Sequence, residues 1–331
     1  MKLLWIVAGA LSLAIVGTVC VLSLSGPLPN ADFNMFWRMQ DLAYPPPYLL
    51  VIKPFALLAY GAAFISWVTI TGALYVWASR GSRLEALANP AATFNGMIGQ
   101  NAFLTSAIMF AGLRDLSKKP VRSGAILGLL IIKPHLAIIL PIAVFAARAW
   151  KAIPAALATI SLLFATAFVA FGQEAYAHFF ELSSKYGQFV HKGAWNWNEL
   201  ASFYAVGRWL GLDAITAGAV HAAIAVAAAF AVWLAWRKDC ETKVALTAAA
   251  ALLISPYLFT YDAVLLALAL GQLRGPKALA VWTLLLIPLL RVFVHQDWPN
   301  TAPLAAGLAV AALTLQSRSQ IIAQGPAPAT V

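Results

Sequence analysis

The feature that most limits what this chain can fold into is a set of long apolar runs. Leu3 to Leu22, Ile153 to Phe171 and Ala214 to Trp236 contain no acidic or basic residue apart from His221. Each reaches or approaches the roughly 20 residues that carry a helix across the hydrocarbon core of a bilayer. A backbone in lipid has to satisfy its own hydrogen bonds, so such runs are expected to be helices. With 331 residues, 62% of them hydrophobic and only 10% charged, the chain lacks the charge needed to cover a soluble globule of its size. The expected fold is all-α, a polytopic membrane helix bundle forming one transmembrane domain over residues 1–318, with outer loops near 25–59 and 172–212 and a short tail at 319–331.

A net charge of +10 raises the question of nucleic acid, but the cations fall in short clusters between the apolar runs. These are Lys2, then Arg80 and Arg83, then Arg114, Lys118, Lys119 and Arg122, then Arg148 and Lys151, Arg237 and Lys238, Arg274 and Lys277, and Arg318. That is the positive-inside pattern. It predicts a multi-pass protein of the cell (cytoplasmic/inner) membrane, with both termini cytoplasmic and no nucleic-acid partner. Met1-Lys2 followed by an apolar run also fits a cleavable leader, yet Val19 before Cys20 suits a lipoprotein cleavage site poorly. A retained first helix is therefore expected. Cys20 and Cys240 are expected on opposite sides, without a disulfide.

Placing every basic cluster on one side forces three stretches to begin and end there, although each has room for about one crossing. Glu85 to Leu113 is expected to turn at Gly99-Gln100-Asn101, Gly124 to Ala147 near Lys133-Pro134-His135, and Val244 to Leu273 between Ser255-Pro256 and Asp262. Counting these short hairpin pairs, about 10–12 membrane segments are expected. Irregular backbone and ionisable groups survive at membrane depth only where protein buries them or water reaches them. Three polar tips on the outer side thus imply a wet cavity open to that side. Long tilted single helices would avoid the turns but would put the Arg114 to Arg122 cluster outside. The hydrophilic stretch Gly172 to Leu212 contains His178, Glu181, Lys185, His191 and Trp195 through Glu199, and its Tyr176, Phe179, Phe180 and Tyr186 suit an interfacial helix or lid.

No P-loop, GxGxxG, HExxH, CxxC pair or DxD-like acidic pair is present, so no nucleotide site is evident. Asp32 follows the first helix among aromatic residues and is a candidate general base, while the same residue could equally cap a short helix starting at Phe33. Asp41 reads as a solvated acid. Lys133 and His135 could grip a phosphate oxygen, or Lys133 could pair with Asp262. Gln100 and Asn101 could bind sugar hydroxyls or satisfy their own broken backbone. Tyr257 and Tyr261 are open in the same way.

Taken in order, Asp32-Phe33 with Phe36-Trp37, Tyr44-Pro45-Pro46-Pro47, Gly99-Gln100-Asn101-Ala102-Phe103-Leu104, Gly128-Leu129 leading to Lys133-Pro134-His135, and Ser255-Pro256-Tyr257-Leu258 with Tyr261-Asp262 resemble glycosyltransferase family 87. The resemblance implies a GT-C fold and a membrane enzyme that takes a sugar from a polyprenyl phosphate and passes it to an acceptor on the outer face. Mannosyl transfer is among the activities it implies. An Asp in the first outer loop is the usual catalytic base there, and Asp32 occupies that place. Only Arg38 to Ala43 separate the Phe-Trp pair from the Tyr-Pro-Pro segment, a shorter connection than in similar proteins. Phe259, Thr260 and Tyr261 stand where some relatives carry a histidine, so no histidine role is carried over.

The expected activity is inverting transfer of a hexose, mannose included, from a polyprenyl-phosphate donor to an unknown glycan or glycolipid acceptor, with membrane lipid as surroundings. Asp32 would take the acceptor proton as the lipid phosphate leaves. Phosphate is a good leaving group, so no general acid is expected, in line with the lack of a second well-placed carboxylate. Lys133 or His135 would neutralise the developing charge, with Gln100, Asn101, Tyr257, Tyr261 and Asp262 as further substrate contacts. The residues name no certain cofactor. The chemistry admits a divalent metal, although no ligand cluster demands one. A transporter or flippase built from broken helices, and a non-catalytic relative of the family, are the rival readings.

Overall fold

The computed structural model describes residues 1–191, 196–294 and 298–323, which form helices joined by short turns with no strand among them. Trp195 and the tail Gly325 to Val331 lie outside the described residues, as do the side chains of His191 and Arg318. Five helices are long and apolar enough to cross a membrane: α1 (Lys2–Leu22, extended by one tight turn to Ser25), α4 (Tyr60–Ala78), α10 (Ala152–His191), α12 (Ala214–Arg237) and α15 (Pro276–Val294). The apolar runs at Leu3, Ile153 and Ala214 each become one of these. The remainder are α2 (Phe33–Arg38), α3 (Pro47–Ala56), α5 (Arg83–Ala88), α6 (Pro90–Ile98), α7 (Ala102–Arg114), α8 (Pro120–Gly128), α9 (Leu140–Ala146), α11 (Phe203–Trp209), α13 (Lys243–Ile254), α14 (Ala267–Gln272) and α16 (Ala302–Ala323). The chain is thus an all-α polytopic membrane protein.

All three expected hairpins form. The first begins with Asn89, whose side chain accepts from Ala91 N, while Pro90 occupies the first turn of α6. Helix α6 ends at Gly99, with φ +67 and a Cβ position only 2.7 Å from the Phe33 Cβ, so both conformation and space call for glycine. Trp67 Nε1 donates to Gly99 O at 2.9 Å, while Arg114 donates to Ala78 O. Helix α7 therefore starts halfway down α4 and ends where α4 ends, which is the geometry of a half-depth turn.

The second hairpin rises through α8 and returns through α9. Its depth is fixed by close packing on α10, where Gly128 faces the backbone of Ala156 and Gly124 that of Ala152. Residue 152 is thus back at the level where α8 began. Small residues that let backbones approach are what holds helices together where lipid removes the hydrophobic drive. In the third, α13 rises and the 260–266 turn leads into α14, whose Gly271 lies against Ser82 at the start of α5. The stretch α13 is lined with buried alanines from Ala245 to Ala251 and contributes to the same tight interior.

The polar tips Gln100-Asn101, Lys133 and Asp262 consequently meet at one end of the bundle. Lys2, Arg80, Arg83 and Arg274 gather at the other, around a shared cavity. Both cysteines are free.

Candidate active site

Asp32 stands at the N-cap position of α2 but makes no side-chain cap. Its Oδ2 instead accepts from Gln100 Nε2 at 3.0 Å, so the capping option is not the one this carboxylate takes. Phe33 and Phe36, both fully buried on α2, anchor it against Phe64, Trp67 and Tyr48 at ring-centroid distances of 5.2–6.3 Å. Phe33 and Phe36 are thereby a fixture for the acid that directly precedes Phe33. Trp37 adds a hydrogen bond from its indole to Leu58 O at 2.9 Å.

Asp32 opens onto a cavity of about 1390 Å³ that is also lined by Asp41, Tyr44, Gln100, Lys133, His135, Glu199, Tyr257, Tyr261 and Arg291. Burial pushes the Asp32 carboxyl above its ordinary value; the Gln100 hydrogen bond and the Lys133 charge pull it back, and Glu199 adds to the rise. Gln100 is the hub of this wall. Its Oε1 accepts from Asn101 N at 2.9 Å and from the Tyr44 hydroxyl at 3.3 Å while its amide holds Asp32. The broken backbone and the acid are served by one side chain.

Lys133 is 2% exposed and pairs with Asp262 Oδ1 at 2.5 Å. It also donates to Asn101 Oδ1 at 3.3 Å and lies 4.7 Å from the centroid of the Tyr261 ring. Asp262 Oδ2 in turn accepts from Phe259 N at 3.2 Å, closing the turn that presents it. The pair expected from the cost of lone charges at membrane depth is present. Asn101 and Asp262, both buried, sit behind the cavity wall and hold Lys133, whereas Gln100, Lys133, His135, Tyr257 and Tyr261 reach the cavity itself. The His135 and Tyr257 rings meet edge to face at 6.4 Å.

The stretch after Gly172 covers this cavity. Gly172, with φ +70, breaks α10 so sharply that the Tyr176 hydroxyl donates to Phe164 O at 2.6 Å, a meeting that a straight helix forbids. Beyond the elbow, Phe179, Ser183, Tyr186 and Gly187 recur at helical spacing and line the cavity. The following segment is tied to the third hairpin, with Ala201 N donating to Leu258 O at 2.6 Å and Asn300 Nδ2, just before α16, donating to both Glu199 O at 3.3 Å and Thr260 Oγ1 at 2.9 Å.

Two residues escaped the sequence reading. Glu199 places a third carboxylate on the cavity wall, beside Asp32 and Asp41, where the sequence led to the expectation of no second well-placed acid. Arg291 lies near the end of α15 and donates to Asn198 Oδ1 at 3.1 Å and to Asn198 O. A basic residue at the end of an apolar helix opposite the basic clusters breaks the positive-inside pattern, and that exception was visible in the sequence. Among the described residues no three His, Cys, Asp or Glu side chains converge as a metal cluster.

Neither a curated protein nor a solved structure matches the chain. The family model for glycosyltransferase family 87 matches residues 42–256. That span contains Tyr44, Gln100, Lys133, His135 and Glu199. Asp32, Tyr257, Tyr261, Asp262 and Arg291 flank it and are joined to it by the contacts above. With more than half of its length matched, the chain belongs to glycosyltransferase family 87.

Proposed function

We propose that this glycosyltransferase moves a hexose from a polyprenyl-phosphate donor to an acceptor hydroxyl, with inversion, in the cavity that opens to the non-cytoplasmic side. The observation that carries this reading is a half-buried acid, freed from capping and held by Gln100 at the wall of a large cavity that lies between membrane helices. The acceptor O–H gives its proton to Asp32, the oxygen bonds to the anomeric carbon, and the bond from that carbon to the phosphate oxygen breaks with its electron pair going to polyprenyl phosphate. A raised pKa brings the base closer to working pH, where proton acceptance has more driving force.

Apolar Val19, Leu22, Phe94, Met97 and Val292 line the cavity alongside the polar wall, which suits a lipid carrying a polar head. Arg291 and His135 are the side chains we assign to the leaving phosphate. Lys133, locked on Asp262, supplies positive potential from behind them. Asn101 and Asp262 position Lys133, and Tyr257 and Tyr261 give ring faces for the sugar. Where the carrier reading needs solute to cross, the family supports transfer chemistry.

The test is purified protein in nanodiscs with a panel of polyprenyl-phosphate sugars and candidate acceptors, read by mass spectrometry. Release of polyprenyl phosphate with a matched glycosylated product, reduced by roughly a hundredfold or more in Asp32→Asn, is the expected result. Counterflow of a labelled solute with no product from any donor would overturn the proposal.

A further inference from the structure

At the end of the bundle opposite the candidate active site, Lys2, Arg80, Arg83 and Arg274 line a cavity of about 860 Å³. The length of α1, 21 residues at about 1.5 Å each, separates the two cavities by on the order of 30 Å. The four cations come from three places in the chain: the start of α1, the turn from α4 to α5, and the turn before α15. Glu85 is the single carboxylate lining the cavity, and among the described residues no Asp or Glu lies within 4.0 Å of any of the four cations. The cavity also presents Trp5, Leu84 and Leu273. Trp5 is 5% exposed and is fixed by an edge contact with Trp282 at 6.3 Å, whose indole donates to Ala88 O at 2.7 Å.

A topological role alone asks only that cations stand on one side of the membrane, free to spread into water. Here separate segments bring four of them around one hollow with one acid among them. Like charges so gathered repel one another unless an anion enters. Arginine pairs with phosphate through two parallel N–H···O bonds, and basic pockets between membrane helices suit phosphorylated headgroups. We propose that this cavity binds a phosphate-bearing anion, the phosphate held by Arg80, Arg83, Arg274 and Lys2 and any attached apolar chain lying against Trp5 and Leu84. A phospholipid headgroup and a soluble phosphate offer the same chemistry.

Native mass spectrometry of the full chain, after exchange into mixed phosphatidylcholine, phosphatidylglycerol and cardiolipin, distinguishes them. Preferential retention of the anionic lipids by about tenfold is expected, lost in Arg80→Gln/Arg83→Gln and kept in Lys118→Gln/Lys119→Gln, which removes two charges outside the cavity. If the double variant does not fold, Arg274→Gln, on another segment, is read instead. A soluble source shows as no lipid preference, with a pyrophosphate-induced rise in thermal midpoint that wild type has and the cavity variant lacks. Equal retention in both double variants, or no response to either probe, overturns the proposal. None of these readouts depends on glycosyl transfer, so the proposed function can fail without touching this result.

Discussion

At Asp32 the surroundings set competing demands. Burial raises the carboxyl pKa and Gln100 lowers it, so activity that needs the carboxylate should fall on the acid side with a limb above the unperturbed value of about 3.9. Gln100→Leu removes a lowering interaction and should move that limb to higher pH, as a kcat/KM profile would show. The stability sign is opposite. A folded pKa above the unfolded one contributes stability present below the unfolded pKa and lost as pH rises through the folded one. Asp32→Asn, neutral throughout, should therefore melt at a higher temperature than wild type near about pH 7, with the difference shrinking in acid. Its turnover should drop by roughly a hundredfold or more while donor binding persists. Near wild-type transfer by Asp32→Asn would remove this residue from the mechanism.

The Lys133–Asp262 pair invites a second residue-scale experiment. Lys133→Met leaves Asp262 buried and unpaired, which costs about 3–5 kcal/mol. Asp262→Leu in the same chain should recover most of that loss in thermal stability. Transfer should stay reduced in the double variant, because the positive potential behind the phosphate is gone. Recovery of full transfer along with stability would make the pair purely architectural.

Among elements, the Gly124 and Gly128 contact with α10 carries the second hairpin. Gly128→Ala places a Cβ 2.7 Å from Ala156 O, and backbone is a partner that yields little. A loss of about 1–3 kcal/mol follows from overpacking of this kind, measurable as a lower thermal midpoint in detergent, with Gly218→Ala, which meets nothing within 4 Å, as the benign control. The three hairpins themselves were legible in the sequence, because each basic cluster fixes the level at which a segment must start and finish. Gly99, Pro134 and Pro256 then mark the turns. The elbow at Gly172 was less legible: an apolar run passing into an amphipathic one reads as a boundary, while the fold-back rests on a φ that sequence does not state. Glu199 was hidden for a related reason. It ends a short 3-10 turn, Trp197–Glu199, and its place on the cavity wall comes from the pairing of Ala201 with Leu258 far along the chain.

For the whole molecule, the contacts establish which groups share an end, and charge assigns that end to a side of the membrane. Asp32, Gln100, Lys133 and Asp262 meet at one end, and Lys2, Arg80, Arg83 and Arg274 surround the cavity at the other. On the proposed topology, the positive-inside rule predicts a cytoplasmic basic end. Arg38, Lys53, Lys185, Arg208 and Arg291 belong to the opposite half, so the rule acts here through the density of cations near helix ends rather than through their exclusion. Single cysteines in a background lacking Cys20 and Cys240 decide the matter. Asp41, exposed beside the candidate active site, and Lys118, exposed beyond α7, are suitable positions, whereas Asn101 is fully buried and would stay silent whatever its side. In intact cells an impermeant maleimide should label the cysteine at 41 and spare that at 118, and permeabilisation should expose both. Labelling at 118 alone in intact cells would invert the protein, put the Asp32 cavity in the cytoplasm, and require a donor presented from that side.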